Sequence, residues 1–97
     1  MYVRVTVTGY DPTHETAVLD LIDESLIPAL KQLPGFVSYT SGTDSEKGKA
    51  VSITVWDNMD HAAGLRAALG GMIQQFEDLN ITFEPPQIYE LTRHITV

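Results

Sequence analysis

The fold is decided by the stretch Ala50-Val51-Ser52-Ile53-Thr54-Val55-Trp56-Asp57-Asn58. Its aliphatic side chains alternate with polar ones, which predicts a β-strand with two chemically different faces. The strand ends at Trp56, and either Asp57 or Asn58 is a residue of the type that begins a helix. A lone, large, amphipathic ring at a strand end is typical of an interface anchor or of a pocket wall.

The same alternation recurs at the start of the chain, where Val3, Val5 and Val7 are interleaved with polar residues and predict a first strand. Before the decisive stretch, Pro34-Gly35 ends a helix, and a second strand is predicted from Phe36 to Ser41. A polar, glycine-bearing connection over residues 42–48 predicts a hairpin loop. After a loop over residues 78–86, a last strand is predicted from Gln87 to about Ile95.

Two helices separate these strands. Asp11-Pro12 begins the first, which runs to about Leu33 and which Pro28 is expected to kink. Its apolar stripe has three- and four-residue spacing and comprises Val18, Leu21, Ile22, Leu26, Ala29, Leu30 and Leu33. Gly70-Gly71 predicts a break in the second helix. The stripe of this second helix comprises Ala62, Leu65, Leu69, Met72, Ile73 and Phe76.

The order strand, helix, strand, strand, helix, strand predicts an α+β fold, the ferredoxin-like βαββαβ arrangement with an antiparallel sheet, in one domain over residues 1–97. The aliphatic faces of strands one and three are predicted to hold the two helices. The opposite face is then left open, and it carries Arg4, Thr6, Thr8, Ser52, Thr54 and Trp56.

Composition excludes several classes of function. Six basic against 13 acidic residues give a formal net charge of −7, which disfavours nucleic acid and anionic membrane surfaces as partners. The chain has no cysteine, so disulfides, thiolate metal sites and cysteine nucleophiles are excluded. No apolar run approaches the roughly 20 residues that span a bilayer, and no signal peptide is evident. A cytoplasmic protein is therefore expected.

Several short segments carry a family resemblance through their order and spacing over nearly the whole chain. They are Ile27-Pro28-Ala29-Leu30, Leu33-Pro34-Gly35-Phe36, Val55-Trp56-Asp57, Asp60-His61-Ala62 and the terminal run from Glu84 to Leu91. In these segments the chain resembles the antibiotic biosynthesis monooxygenase superfamily, the dimeric α+β barrel proteins. The resemblance implies a homodimer whose protomers pack their bare sheet faces together around a cavity.

The family includes oxygenases of aromatic polyketides that use no metal or flavin, haem-degrading enzymes, and members of unknown activity. Trp56 matches the family tryptophan, which lies beside the substrate in the cofactor-independent oxygenases. The haem-degrading subset has an asparagine on the first strand and a histidine far along the second helix. Here Arg4, Thr6 and Thr8 occupy the first strand, and no histidine follows His61 on that helix, so haem degradation is disfavoured.

The residues themselves offer few candidates for chemistry. Arg4 and Arg93 can bind a phenolate or enolate oxygen, although strand arginines more often pair with acids or lie at a dimer rim. Thr6, Thr8 and Thr54 can donate hydrogen bonds, yet strands also favour threonine for its β-branch. His61 is a candidate residue at the edge of the cavity, with helix capping or solvent exposure as the alternative. Tyr39 and Tyr89 are candidate proton donors, with core packing as the alternative.

No catalytic residue can be assigned. His14, His61 and His94 lack the spacing that presents two imidazoles to one metal, so no metal is expected. The chain has no nucleotide-binding fingerprint, and no cofactor is expected. The leading hypothesis is a cofactor-independent monooxygenase-like protein acting on a hydrophobic or aromatic small molecule, with Trp56, Arg4, Thr6, Thr54 and His61 as substrate-binding residues. The alternative is a non-catalytic small-molecule-binding or interaction module of the same dimeric fold.

Overall fold

Five antiparallel strands form one sheet in the computed structural model, which describes residues 1–97. The strand order is β2-β3-β1-β4, and β5 also pairs with β1, on the side away from β3. The strands are β1 (Tyr2–Gly9), β2 (Phe36–Asp44), β3 (Lys49–Trp56), β4 (Thr82–Phe83) and β5 (Gln87–Glu90).

The two short strands β4 and β5 are one interrupted fourth strand. β4 pairs with the Thr8–Gly9 end of β1, and β5 pairs with its Tyr2–Val5 end. Two prolines separate them, because proline has no N–H to donate to the neighbouring strand. With that strand the order is the ferredoxin-like one, so the predicted βαββαβ fold is confirmed.

Two strand boundaries differ from the prediction. β2 continues through residues 42–44, which pair with residues 49–51 of β3, so the hairpin turn is shorter than the polar composition suggested. The last strand ends at Glu90 rather than near Ile95. Its partner strand β1 begins at Tyr2, so pairing cannot continue much further. The last hydrogen bond between the two strands is donated by the Leu91 N–H to the Met1 carbonyl.

The first helical region changes its winding three times. A 3₁₀ turn (Pro12–His14) precedes α1 (Glu15–Leu21), a π-helical turn (Ile22–Leu26) and α2 (Ile27–Leu30). Asp11 caps the start, because its carboxylate accepts the Thr13 N–H at 2.9 Å. The kink expected at Pro28 takes the form of the π turn directly before it. A wider turn relieves the contact between the proline ring and the preceding carbonyl.

The second helical region is broken into three short helices, α3 (Met59–Ala63), α4 (Leu65–Leu69) and α5 (Met72–Asp78). Asn58 rather than Asp57 is its cap, accepting the His61 N–H at 2.9 Å. The break predicted at Gly70-Gly71 is present. Gly70 has φ +54°, a conformation that side-chain-bearing residues rarely adopt.

The prediction of which sheet face holds the helices was wrong. The helices cover the face of Arg4, Thr54 and Trp56, and these three side chains are buried. The aliphatic residues on the other face are only half-buried, and none belongs to the hydrophobic core: Val3, Val5, Val7, Val51, Ile53 and Val55. We name these six residues the open valine face. Alternation identifies which residues share a face, but two apolar helix stripes can pack on either one.

The core closes around the end of β3. Trp56 is 1% exposed, and its ring meets the Phe36 ring edge-on with centroids 5.7 Å apart. Leu30 and Ala62, one from each helical region, are fully buried in the same cluster. Trp56 therefore belongs to the packed interior of its own protomer.

Gly35 is expected to resist substitution by alanine. Its φ is +79°, and a Cβ there would collide with the side chains of both Asp57 and His61. Gly35→Ala should lower the free energy of unfolding by about 1–3 kcal/mol, measured by urea titration. Gly71→Ala is the matched control. Gly71 has φ −64° and open space within 4 Å, so stability should hold or rise. Equal effects of the two substitutions would contradict the described strain.

Candidate functional site

A cavity of about 180 Å³ lies between the sheet and the helices of the same chain. An apolar protein cavity of ~150 Å³ can hold benzene, so the space is large enough for a ring-sized group. The prediction placed the cavity between this sheet and a partner sheet. That placement was wrong, because it followed from assigning the helices to the opposite face.

The helix side of the cavity is an apolar wall. Both helical regions contribute, because each presents its stripe of aliphatic side chains to the sheet. The wall is formed by Val18, Ile22, Leu26, Leu30, Leu65, Leu69, Ile73 and Phe76. Ile22 and Leu26 stand at the two ends of the π turn, so this irregular turn is part of the wall.

The sheet side of the cavity is a polar floor. Arg4, Thr6 and Thr8 reach it from β1, because alternate residues of a strand share a face. They stand opposite Thr54, Ser52 and Ala50 of β3 in the strand register. β2 adds Tyr39, Ser41 and Thr43. A ligand here would have an apolar surface on one side and hydroxyl groups on the other.

Thr54 connects the cavity to the tryptophan. The Trp56 indole N–H donates to the Thr54 hydroxyl oxygen at 2.8 Å, and Thr54 is 4% exposed. Because that oxygen accepts from the indole, the threonine O–H is free to donate elsewhere. Trp56 itself is not among the residues that line the cavity. Trp56 therefore orients Thr54 through this hydrogen bond without lining the cavity itself.

His61 lies outside the cavity and forms a pair with Asp57. Its Nδ1 is 2.6 Å from the Asp57 carboxylate oxygen, and both side chains are partly exposed. This hydrogen bond is the main cause that holds the pKa of Asp57 below its usual range. The pair lies at the start of α3, where Asp57 N–H also donates to the Gly35 carbonyl at 2.9 Å. The contacts are those of a helix start.

The structure thus brings three of the five predicted site residues together. Arg4, Thr6 and Thr54 line the cavity, whereas Trp56 and His61 do not. Two charged residues of the lining, Arg66 and Glu84, were not singled out from the sequence. Arg66 follows a stripe residue on α4, and Glu84 lies in the gap between β4 and β5, so no periodic pattern marks either residue.

No three side chains of the His, Cys, Asp or Glu type come together in a way that could hold a metal ion. The charged and phenolic groups of the cavity are Arg4, Arg66, Glu84 and Tyr39, and no histidine lines it. None of the helices has the length and apolar character of a membrane-spanning segment. The lining offers hydroxyl groups, arginine charge and an apolar surface that excludes water.

Sequence comparisons find no relative. No family model matches the chain, and no curated protein matches it either. Comparison of structures does find similar folds. HapK from Hahella chejuensis has a TM-score of 0.82 at 10% identity, covering 100% of this chain and 98% of the other.

Two further similar structures are named as oxygenases. SnoaB, a cofactor-independent oxygenase from Streptomyces nogalater, has a TM-score of 0.66 at 20% identity, covering 97% of this chain and 95% of its own. A monooxygenase from the gene ActVA-Orf6 of Streptomyces coelicolor, solved with the ligand nanaomycin D, has a TM-score of 0.70 at 17% identity, covering 99% and 89%. The chain therefore has the fold of these proteins, and the resemblance drawn from the sequence is confirmed at the level of fold.

Proposed function

We propose that this protein is a cofactor-independent monooxygenase whose substrate is an electron-rich aromatic small molecule bound between the sheet and the helices. The observation that carries the proposal is the cavity itself, with an apolar wall on one side and a hydroxyl-rich floor on the other. The shared fold with SnoaB, named a cofactor-independent oxygenase, supports the reaction class.

The substrate supplies the electrons in this reaction. A ring CH₂ group conjugated with a ring carbonyl tautomerises to a phenol, which loses its acidic proton to water. The carbon of the resulting anion bonds to dissolved O₂, and the peroxide so formed takes up that proton. The remaining C–H bond and the O–O bond then break, which leaves a ring carbonyl and releases hydroxide, and the hydroxide takes up the second proton to form water. Both hydrogens of the CH₂ group end in that water molecule, so atoms and electrons balance.

The chain's contribution to such a reaction is binding rather than proton transfer. The apolar wall removes water from the ring, and fixed hydroxyls on the floor are placed to donate to a developing oxyanion. Thr54 is suited to this task because its oxygen already accepts from Trp56, which leaves its O–H to donate. Dissolved oxygen consumption with a panel of anthrones tests the reaction class.

Thr6 offers the sharpest test of where the substrate binds. It lies on the floor opposite Ser52, so Thr6→Phe should fill the cavity and reduce both ligand affinity and oxygen consumption by at least about tenfold. Thr6→Val keeps the volume and the β-branch, and should retain binding of an apolar ring. Isothermal titration and oxygen-electrode rates compare the two variants. Unchanged activity of Thr6→Phe would place the reaction elsewhere.

A second candidate is a non-catalytic binding module. It is favoured by the absence of any histidine from the cavity lining, because histidine is the side chain whose ordinary pKa lies closest to neutral pH. Stoichiometric binding of aromatic ligands without oxygen consumption would support it over the oxygenase.

We also propose that a second copy of this chain covers the open valine face. The face is continuous across two neighbouring strands, because Val3 pairs with Val55, Val5 with Ile53 and Val7 with Val51. It carries no charge on a chain with a net charge of −7, so like charges do not oppose its contact with an identical face. A two-fold axis through the face would make it complementary to itself.

A further inference from the structure

Arg4 is a buried cation without an acidic partner. It is 8% exposed, and none of the ion pairs in the structure includes it. Its Nη1 donates to the carbonyls of Ala62 at 2.9 Å and Ala63 at 3.3 Å, whereas its buried Nε has no partner. A buried charge that lacks both a counter-ion and some of its hydrogen bonds is unfavourable, so this arrangement needs an explanation.

The other charges of the cavity do not neutralise Arg4. Glu84 lies 3.7 Å from Lys49 in a pair that is more than half exposed. Arg66 lies 3.8 Å from Glu77 and 5.4 Å from the centre of the Phe83 ring. Burial, and secondarily the charge of Arg66, lower the pKa of Arg4, yet a guanidinium remains protonated in proteins. The floor therefore presents an unpaired positive charge beside an apolar wall.

We propose that Arg4 binds an anionic oxygen of the ligand, so that the ligand is an apolar, ring-bearing weak acid bound as its phenolate, enolate or carboxylate. The inference rests on the proposed function for the site, and it specifies the class of substrate. The Nε of a guanidinium and the neighbouring nitrogen form a fork that matches an anionic oxygen or a carboxylate. In a water-poor cavity such a charge-assisted hydrogen bond is stronger than in water.

A purely structural role for Arg4 makes a different prediction. Through Nη1 the side chain links β1 to the end of α3, and that link alone would affect stability without any preference for ligand charge. The two roles separate when the same ring is offered with and without a negative charge. 2-Naphthoate and 2-naphthamide form such a pair, because they share ring and shape and differ in charge.

The test measures dissociation constants of both probes by isothermal titration. Wild-type protein should bind 2-naphthoate at least about tenfold more tightly than 2-naphthamide. The Arg4→Gln variant should bind the two probes about equally. Arg93→Gln is the control, because Arg93 is exposed and donates only to the adjacent carbonyl of Thr92. It should keep the wild-type preference. Arg4→Lys, which keeps the charge without the fork, should retain a reduced preference.

A second readout follows the protonation of a bound phenol. 4-Nitrophenol changes its absorption when it ionises, and its pKa should fall by about 1 unit or more when it binds the wild-type protein. On Arg4→Gln that fall should disappear. Loss of stability alone would not change this signal in the fraction that stays folded.

Each outcome decides between the claims. We call the proposed binding of the ligand's negative charge by Arg4 the anchor. Equal affinities of wild-type protein for the two naphthalene probes, or a charge preference that survives Arg4→Gln, would overturn the anchor. If 2-naphthamide binds and Thr6→Phe blocks it, the cavity as ligand site stands even when the anchor falls. If 2-naphthoate is preferred but no phenol consumes oxygen, the anchor stands and the monooxygenase proposal falls.

Discussion

Trp56→Ala is expected to lower the free energy of unfolding by about 3–5 kcal/mol, the range for deleting a large aromatic ring from a packed core. The ring is 1% exposed and packs against Phe36, so its removal leaves a void that its neighbours cannot fill. A domain of this size has about 5–15 kcal/mol of stability in total. The expected loss is therefore a large fraction of the total stability.

Urea unfolding followed by far-ultraviolet circular dichroism measures this loss without relying on the tryptophan signal. Trp56→Phe is the matched control. It keeps an aromatic ring in the core and removes the indole donation to Thr54, a hydrogen bond worth about 0.5–1.5 kcal/mol. A loss below 1 kcal/mol for Trp56→Ala would show that the ring is not packed as described.

Ile53→Asp is expected to convert a homodimer into a monomer. Ile53 lies in the middle of the open valine face, and a carboxylate buried there between two copies would have no partner. The wild-type protein should have a mass of twice 10.7 kDa by light scattering, and the variant should have the mass of one chain. Ile53 lies outside the hydrophobic core, so the variant should keep its circular dichroism spectrum.

Ala67→Asp is the control for this experiment. It adds the same charge to the exposed surface of α4, away from the open valine face, and should remain dimeric. A wild-type mass of 10.7 kDa would remove the proposal that a second copy covers this face. A dimer that survives Ile53→Asp would place the interface on another surface.

The sequence predicted the fold because its local signals agree with one another. The valine alternation of β1, the Asp11-Pro12 helix start and the Gly70-Gly71 break all act over a few residues, where local sterics decide. What failed was the choice of sheet face. On β1 and β3 the alternation defines two faces equally well, and only three-dimensional packing decides which of the two the helices cover. The size of Trp56 was a signal, since large aromatic rings dominate the energetics of cores as well as of interfaces.

The site was predicted in part for the same reason. Arg4, Thr6 and Thr54 were found because β1 and β3 alternate, and alternation identifies residues that share a face. Arg66 and Glu84 were missed because they reach the cavity from a helix and from an interrupted strand, at positions that no periodic pattern marks. Arg4 lacks an acidic partner because of where every surrounding acidic residue lies in three dimensions. A sequence pattern does not give those positions.

The location of the cavity determines how many ligands an assembly of two chains would bind. The apolar wall and the polar floor belong to the same chain, and the open valine face lies on the far side of the sheet. In an assembly of two copies, each chain would therefore saturate with one ligand of its own rather than share one between them. Binding of a ligand to one chain could change the affinity of the other chain only through the sheets that separate the two cavities. Independent, non-cooperative binding with a stoichiometry of one per chain is the expected behaviour.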